Sequence, residues 1–493
     1  MSQKFSGAQL FCPSSRESAI IDDMDATDHD ARLTIALAQK AKPTRREGAI
    51  SGPEAARVCL FFALLLLCVL LSSCAAEEKS ASGRVLVIAV DGASTRLIDE
   101  LMDEGHLPHL AAIAGAGARG VARPTPPLLS PRIWTSVVTG KKPEQHGIEG
   151  WVWLDSKKTP HLYSSRDRKA HALWNILGAN GRSTGVVNWL MTHPPEKIKG
   201  IIVSDHAGVG MMADKLKLAK AFAANKEGAK GEVQIDAATA SFVYPASFGD
   251  RLEHARNAPP LTSVPDPFGD SKFWADRPVT AFLSQVYEND QFAARLALEI
   301  EAEIAPDLLL VYLPGIDRVS HFIWDSVEAL SAIPKKLRRP AAARAKLALA
   351  LRSYYEYVDQ LIGRLQKGRS PDDLVMVLSD HGFEINPERA ELGGVHDSPA
   401  ARDGILFVRG RGIEAGGRGL VMNMTDITPT ILAWLDIPIA EDMSGKPAAF
   451  AQRDNSRSIP SYDTSEIEFL GIEVPEVESR IIDNLKELGY VED

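Results

Sequence analysis

The chain has 493 residues, of which 45% are hydrophobic and 24% charged, and its formal net charge is -10. This composition is globular and suits one large domain or two to three smaller ones. The acidic balance disfavours a nucleic-acid backbone as the main partner, and no nucleic-acid-binding domain is predicted. All cysteines lie at or before Cys74, so no disulfide or thiolate metal site is expected in the body beyond it.

The N-terminal segment is typical of an exported lipoprotein. Residues 1–57 are a polar leader, and the sequence leaves open whether it is translated. Within 58–74, an apolar run from Val58 to Leu71 is shorter than the roughly 20 residues of a membrane span but suits a secretory signal. Small residues then precede Cys74, as in a bacterial lipobox. We expect export to the periplasm or cell envelope, with lipidated Cys74 as the membrane anchor. The alternative is a core segment or an uncleaved anchor.

The body begins with the apolar run 84–90, which is followed by Asp91. This Val-rich run predicts a strand buried on both faces. After a helix from about Ser94, prolines force an extended approach to Ser130, and a helix is predicted from Pro131 onward. Ser130 is then either the N-cap of that helix or a nucleophile, placed where the helix dipole favours a bound phosphate.

Residues 206–289 interrupt the pattern of strands and helices. Strands are predicted at 184–189 and 200–203 before the interruption, and a helix at 291–304 after it. The segment itself is rich in Gly, Pro, Lys and Ala and has poor periodicity. We interpret it as an inserted cap over one end of the sheet, where substrate choice is set.

Two further apolar runs predict buried strands, and each leads into an aspartate and a histidine. The run 307–313 precedes Asp317 and His321, and the run 374–378 precedes Asp380 and His381. Strands that alternate with helices predict an α/β fold with a mostly parallel central sheet sandwiched by helices. The alternatives for these polar residues are an ordinary turn after the strand and a surface pair on a helix.

The carboxyl ends of parallel strands meet at one edge of a sheet, and ligands bind there. We therefore expect the three aspartates that follow the buried strands to converge. With the nearby histidines they provide three carboxylates and three imidazoles, a set that suits two zinc-like ions. The expected ligands are Asp91, Asp317, His321, Asp380, His381 and His396.

The remaining pattern closes the domain. A helix at about 342–365 carries an apolar stripe that predicts core packing. A strand at 405–409 and a helix at 425–435 follow. We place the catalytic domain at 84–455, after a linker at 75–83. Residues 456–493 are predicted to be a tail with a short helix at 477–488.

Several short motifs follow one another in a characteristic order. They are Val90-Asp91-Gly92, Ser130 nine residues before Thr139-Gly140, Pro143-Glu144-Gln145-His146-Gly147-Ile148, Gly315-x-Asp317-x-x-x-His321, Ser379-Asp380-His381-Gly382, Gly394-x-His396, and 426–432 through Gly445-Lys446-Pro447. Together they resemble the alkaline phosphatase superfamily, and most closely its type I phosphodiesterase/nucleotide pyrophosphatase branch, over roughly 84–450. The resemblance implies an alkaline phosphatase-like fold.

The resemblance also implies two divalent metal ions, with zinc as the expected metal. One ion would be held by Asp91, Asp380, His381 and the Ser130 oxygen, and the other by Asp317, His321 and His396. In such enzymes the hydroxyl nucleophile attacks phosphorus in line and forms a phospho-enzyme intermediate. The ions activate the nucleophile and the later water and stabilise the leaving oxygen. His146 is expected to be structural, because the ligand set is complete without it.

Two positions depart from the phosphodiesterase branch. Ser130 stands where that branch commonly carries threonine, and Ile133 where it carries an asparagine that binds phosphate. Serine is the nucleophile of the superfamily's monoesterases. Arg132 is predicted to be a phosphate clamp and Asn188 a weaker substrate-binding residue. The sulfatase pattern is not matched, because Pro131 and Arg132 follow the serine immediately.

These observations predict an exported two-metal hydrolase of phosphate esters, of phosphodiesterase or nucleotide pyrophosphatase type, that works through a phospho-serine intermediate. The alternatives are a metal-dependent phosphomonoesterase and a non-catalytic binder of phospho-ligands at the cell envelope. The expected partners are a small phosphate-ester substrate and a membrane. The sequence predicts neither the natural substrate nor the oligomeric state.

Overall fold

The computed structural model describes residues 83–158, 160–207, 242–270, 277–385, 393–396, 398–452 and 457–470. The leader, the apolar run that ends at Cys74, and the predicted C-terminal helix at 477–488 lie outside the described residues. Residues 208–241 and 271–276 of the predicted cap also lie outside them. Among the helices of the described ranges, none is both long and apolar enough to cross a membrane.

The strands are short, as buried strands of α/β proteins usually are. They are β1 (Val85–Val90), β2 (Ala118–Arg123), β3 (Val152–Leu154), β4 (Pro160–Leu162), β5 (Thr184–Val187), β6 (Gly200–Val203), β7 (Val243–Tyr244), β8 (Leu308–Leu313), β9 (Leu374–Leu378), β10 (Gly404–Arg409), β11 (Gly417–Asn423), β12 (Ile439–Ala440) and β13 (Ser458–Ile459).

The helices alternate with these strands. They are α1 (Thr95–Asp103), α2 (Pro108–Ala116), α3 (Ser130–Thr139), α4 (Pro143–His146), α5 (Leu173–Ala179), α6 (Asp250–Asn257), α7 (Arg277–Ile304), α8 (Gly315–Ile323), α9 (Ala341–Gln366) and α10 (Ile427–Trp434).

Nine strands form one central sheet in the order β11-β2-β10-β9-β1-β8-β5-β6-β7. β1 pairs in parallel with both β8 and β9, and β5 is parallel to β8 and to β6. β10 runs antiparallel to β9 and β2, and β7 runs antiparallel to β6. The predicted mostly parallel sheet is confirmed, with its parallel centre on β1.

The two faces of the sheet carry separate hydrophobic cores. All six residues of β1 are buried, and they alternate between the two cores. Ile88 lies in the core that includes Leu97 of α1 and Leu351 of α9. Val87 lies in the core that includes Trp134 of α3 and Ile431 of α10. Helices therefore cover both faces, which explains why the strand lacks the apolar–polar alternation of a half-exposed sheet.

The structure differs from the sequence prediction at the start of α7. The helix begins at Arg277, well before the predicted residue 291. Within this early part, Phe282, Leu283 and Val286 recur at helical spacing and are buried in the same core as Ile88 of β1. β7, also inside 206–289, extends the central sheet at its edge. The described parts of this segment thus complete the sheet and its helical layer.

A buried ion pair gives a test of this core. Arg168 Nη2 lies 2.8 Å from Glu196 Oε1, and their side chains are 1% and 0% exposed. Glu196 Oε2 also accepts hydrogen bonds from Trp174 Nε1 and Asn175 Nδ2. We expect Glu196→Ala to lower the free energy of unfolding by about 3–5 kcal/mol, because it leaves a buried cation unpaired.

Urea denaturation followed by circular dichroism measures this effect. The control is Glu468→Ala, which removes the exposed partner of Lys197, and it should change stability by less than about 1 kcal/mol. A Glu196→Ala protein as stable as this control would contradict the expectation.

Candidate metal centre and active site

The three predicted aspartates meet at one edge of the sheet. Asp91 directly follows β1, Asp317 lies in α8 just after β8, and Asp380 follows β9 by one residue. These strands are neighbours in the order β9-β1-β8. The three side chains are 0–7% exposed. The predicted convergence is what the structure shows.

The turn after β1 brings α8 close to that edge. Gly92 has a φ of 69°, and a Cβ there would lie 2.8 Å from Asp317 Cα. A side chain at this position would therefore be strained and would also push α8 away. The Asp317 backbone N–H donates to the Asp91 carbonyl at 3.1 Å. The glycine thus permits the contact that brings Asp317 beside Asp91.

One group of potential metal ligands comprises Asp317, His321 and His396. Asp317 Oδ1 lies 3.5 Å from His321 Nε2 and 3.8 Å from His396 Nε2. α8 is helical across this stretch, so Asp317 and His321 share one face, as their spacing requires. His396 comes from the loop after β9. The group has the same members as the second ligand set that the family resemblance implies.

A second group comprises Asp91, Asp317 and His381. His381 Nε2 lies 3.4 Å from Asp91 Oδ1 and 4.0 Å from Asp317 Oδ1. Asp380 stands beside this group, with Oδ2 3.5 Å from the same His381 nitrogen. Its other oxygen accepts the Gly92 N–H at 3.3 Å. Asp317 Oδ1 therefore belongs to both groups, a sharing that the sequence alone did not predict.

The rings of His321 and His381 are each oriented by a hydrogen bond from Nδ1 to a backbone carbonyl oxygen. His321 Nδ1 is 3.1 Å from the Gly394 carbonyl oxygen, and His381 Nδ1 is 3.0 Å from the Gly382 carbonyl oxygen. An Nδ1–H that donates to a carbonyl leaves Nε2 as the lone-pair nitrogen. In both residues Nε2 is the atom that faces the carboxylates. Both rings are thus oriented as metal-ligating histidines usually are.

The donor atoms fit a metal ion on two counts. Several are buried and have no hydrogen-bond partner among the described residues; these are Asp91 Oδ1, Asp317 Oδ1, Asp380 Oδ2 and His381 Nε2. Buried polar atoms are normally paired, so such a cluster implies a missing partner. Donors around a tetrahedral ion at roughly 2 Å are about 3.3 Å apart, close to the separations between these atoms. The residues present therefore fit divalent metal ions.

The electrostatics of the cluster lead to the same conclusion. Burial raises the pKa of Asp91 and of Asp380, and the neighbouring carboxylates raise both further. Burial also opposes ionisation of Asp317, but His321 and the other imidazoles outweigh it and hold its pKa below the ordinary value. Burial lowers the pKa of His396 well below its ordinary value. A cation would relieve the repulsion among the carboxylates and favour this neutral imidazole.

Ser130 lies at the start of α3, the helix whose Trp134 contacts this cluster. The structure makes Ser130 the first residue of the helix, with Leu129 before it, and no side chain caps the helix start. The predicted N-cap role of Ser130 is therefore wrong, because the helix begins one residue earlier. Trp134, one helical turn further on, donates from Nε1 to Asp91 Oδ2 at 3.3 Å. This contact brings the N-terminal turn of α3 to the metal-ligand cluster.

His146 is hydrogen-bonded to a side chain of α3. Its Nε2 is 3.0 Å from Ser136 Oγ, and its Nδ1 accepts the Ile148 N–H at 3.2 Å. Ser136 Oγ donates to the Arg132 carbonyl, so Nε2–H is the donor to Ser136. Burial lowers the pKa of His146 to about 3, so the ring stays neutral at physiological pH. This geometry agrees with the structural role predicted for His146.

The two predicted substrate-binding residues lie in different surroundings. Arg132 is 9% exposed and lines a small cavity with Thr125, Ile133 and Thr425, which none of the expected metal ligands lines. Its Nε is buried and has no hydrogen-bond partner among the described residues, and burial lowers the pKa of the guanidinium. Asn188 follows β5 with a φ of 59° and donates from Nδ2 to the Tyr312 carbonyl at 3.1 Å. The Asn188 side-chain amide is thus hydrogen-bonded to the backbone of β8.

Sequence analysis missed two residues of this site, Tyr312 and Trp134. Both donate a hydrogen bond to Asp91 Oδ2. The signal was present, because a tyrosine within the aliphatic run of β8 must find a partner for its hydroxyl once it is buried. Burial and the adjacent carboxylate raise the pKa of Tyr312 well above its ordinary value, so the hydroxyl remains a donor.

The fold and the cluster at the carboxyl edge of the sheet define an α/β protein with a candidate metal centre. The family model for type I phosphodiesterase/nucleotide pyrophosphatase matches residues 85–415. The chain belongs to this family of metal-dependent hydrolases and is a phosphoric ester hydrolase. The match covers every expected metal ligand and Ser130.

Solved structures of low identity are similar as well. Phosphonoacetate hydrolase from Sinorhizobium meliloti 1021 has 16% identity and a TM-score of 0.36, over 61% of this chain and 57% of that chain. Human ectonucleotide pyrophosphatase/phosphodiesterase 5 has 13% identity and a TM-score of 0.39, over 74% and 97%. A 2-O GAG sulfatase has 12% identity and a TM-score of 0.46, over 76% of both chains. A comparison with curated proteins gave no match.

Proposed function

We propose that the chain is an exported phosphodiesterase or nucleotide pyrophosphatase that uses two divalent ions, with zinc as the expected metal, and Ser130 as nucleophile. The observation that best supports this proposal is that Asp317 belongs to two adjacent groups of potential metal ligands. Paired ions suit in-line displacement at phosphorus, because the attacking and leaving oxygens both carry negative charge. The proposed ligand sets are Asp91, Asp380, His381 and Ser130 for one ion, and Asp317, His321 and His396 for the other. Asp317 belongs to both groups and would also contribute to the first ion.

In the proposed reaction, Ser130 Oγ attacks the phosphorus of the substrate. A bond from Oγ to phosphorus forms, the bond to the leaving oxygen breaks, and the serine becomes phosphorylated. Water then attacks phosphorus and releases the serine. Bound ions would lower the pKa of the Ser130 hydroxyl and stabilise charge on the leaving oxygen. The place of Ser130 in the first turn of α3 adds the positive end of the helix dipole near the phosphoryl group.

Arg132 and Asn188 complete the proposal as substrate-binding residues. Arg132 is buried, and its Nε has no hydrogen-bond partner among the described residues, so an anionic oxygen of the substrate would be a favourable partner. It follows Ser130 by two positions, about 200° around the helix, so it would contact a part of the substrate away from the serine. Asn188 contributes less, because one N–H already binds Tyr312.

A phosphomonoesterase is the second possibility, and two residues favour it. Ser130 and Ile133 replace the threonine and asparagine that the phosphodiesterase branch commonly carries at these positions. The two functions differ in the second substituent on phosphorus, so a pair of chromogenic esters distinguishes them. We expect kcat/KM for bis-p-nitrophenyl phosphate to exceed that for p-nitrophenyl phosphate by about tenfold or more in the zinc-loaded protein. The reverse preference would assign the protein to the monoesterases, and turnover of neither ester would support a binding role.

We propose that export ends with the protein anchored to a membrane through lipidated Cys74. The support is the order of basic residues, apolar run and small residues before this cysteine. We expect Cys74→Ala to block lipidation and cleavage, so that the protein accumulates as the uncleaved precursor, detected by a larger mass on immunoblots. A variant of unchanged size and location would exclude Cys74 as the attachment site.

A further inference from the structure

Asp91 is hydrogen-bonded unequally at its two carboxylate oxygens. Oδ2 accepts from Trp134 Nε1 at 3.3 Å and from the Tyr312 hydroxyl. Oδ1 has no hydrogen-bond partner among the described residues and lies 3.4 Å from His381 Nε2. The donors thus occupy the oxygen that faces away from the proposed ions.

The two donors are fixed by packing that does not depend on a metal. Tyr312 lies in β8, where its neighbour in register on β1 is Ala89, two residues before Asp91. Its ring and the Trp134 ring meet at 5.6 Å and 70°. Trp189 packs against Trp134 at 5.4 Å and 82°, and its Nε1 donates to the Trp134 carbonyl. All three side chains are at most 2% exposed. Trp134 and Tyr312 are therefore held in place before any metal binds.

Trp134 connects this arrangement to the proposed nucleophile. It lies one turn after Ser130 in α3, so its bond to Asp91 sets the distance between the start of that helix and the metal-ligand cluster. Tyr312 ties the same carboxylate to the strand that leads into Asp317 and His321. Asp91 Oδ2 thus accepts one hydrogen bond from α3, which carries Ser130, and one from β8, the strand that leads into α8.

We infer that Tyr312 and Trp134 are positioning residues that hold Asp91 Oδ2 so that Oδ1 points at the metal ion, in register with Ser130. The inference rests on the proposed function, because it requires that Asp91 binds a metal. Partners that orient a ligand in this way typically contribute 10- to 100-fold to metal affinity. If the aromatic residues are instead core packing alone, removing the hydroxyl would leave metal affinity unchanged.

Tyr312→Phe tests the inference, because it removes the hydroxyl and keeps the ring. The probe is Co²⁺, titrated into the metal-free full chain in detergent against a competing chelator and followed by its visible absorption. We expect affinity for at least one ion to fall by about 10- to 100-fold, and the absorption of that ion to change, while circular dichroism shows a folded protein. The matched control is Tyr357→Phe, since that buried hydroxyl donates to the Tyr287 carbonyl outside the cluster.

The outcomes separate this inference from the proposed function. Wild-type protein that binds no Co²⁺ would overturn both. Wild-type protein that binds two ions, together with Tyr312→Phe of the same affinity and spectrum as Tyr357→Phe, would overturn the inference alone. If Tyr312→Phe does not fold, Trp134→Phe provides the same test by removing the other donor to Oδ2, and unchanged Co²⁺ affinity would again contradict the inference.

Discussion

Ser130→Ala should reduce turnover of phosphate esters by on the order of 10³-fold or more, while the remaining ligands of the ion that Ser130 would bind, Asp91, Asp380 and His381, keep that metal bound. The variant removes the oxygen that would form the bond to phosphorus, so the covalent route is lost and only direct attack by water remains. The small change at the first residue of α3 should leave the fold intact, because no side chain caps this helix. Steady-state kinetics with zinc-loaded protein and metal analysis of the same sample measure both parts.

Ser130→Thr is the matched control for this experiment. Threonine keeps a hydroxyl on the same carbon and is the residue that the phosphodiesterase branch commonly uses. We expect this variant to retain most of the activity that alanine loses. A fully active Ser130→Ala protein would show that another group is the nucleophile.

Asp317→Asn should remove both metal ions and reduce activity by on the order of 10³-fold. Asp317 Oδ1 is within 3.5–4.0 Å of three histidine nitrogens that belong to the two ligand groups. An amide has nearly the same shape as the carboxylate but lacks its charge, so both sites lose an anionic ligand while packing is kept. Metal content per chain after dialysis, measured by elemental analysis, shows the effect directly.

The control is Asp325→Asn, two residues beyond the end of α8. Asp325 is also a buried carboxylate, but its Oδ2 pairs with Arg339 Nε at 2.7 Å and it belongs to neither ligand group. This variant should keep its metal content. Two ions retained in Asp317→Asn would contradict the shared role of this carboxylate.

The parts of the fold that sequence predicted well are those where one signal dominates. β9 was predicted at its observed bounds, because an unbroken Val- and Leu-rich run has one stable environment, a strand buried on both faces. The stripe on α9, from Leu347 to Leu361, is buried as expected. The start of α7 was missed because Arg277-Pro278 and the preceding glycines and prolines indicate a loop, while the packing of Phe282 against the core depends on tertiary contacts.

The site could be predicted as a set of residues but not as a geometry. Acids after buried strands identify Asp91 and Asp380, because parallel strands deliver their carboxyl ends to one edge. The sharing of Asp317 between two groups depends on how closely α8 approaches β1, and the contact with Gly92 that controls this approach spans distant parts of the chain. The same limit applies to Arg132, whose cavity includes Thr425. Its neighbours could not be inferred from its position after Ser130.

The central place of β1 has a consequence for how the molecule is assembled. β1 is the first strand of the sheet to be synthesised, yet its neighbours on either side, β8 and β9, come from far later in the chain. Loop closure over such separations is slow, and both edges of an aliphatic strand stay unpaired in the meantime. During synthesis, β1 therefore remains an aggregation-prone segment until β9 (Leu374–Leu378) has been made and can pair with it.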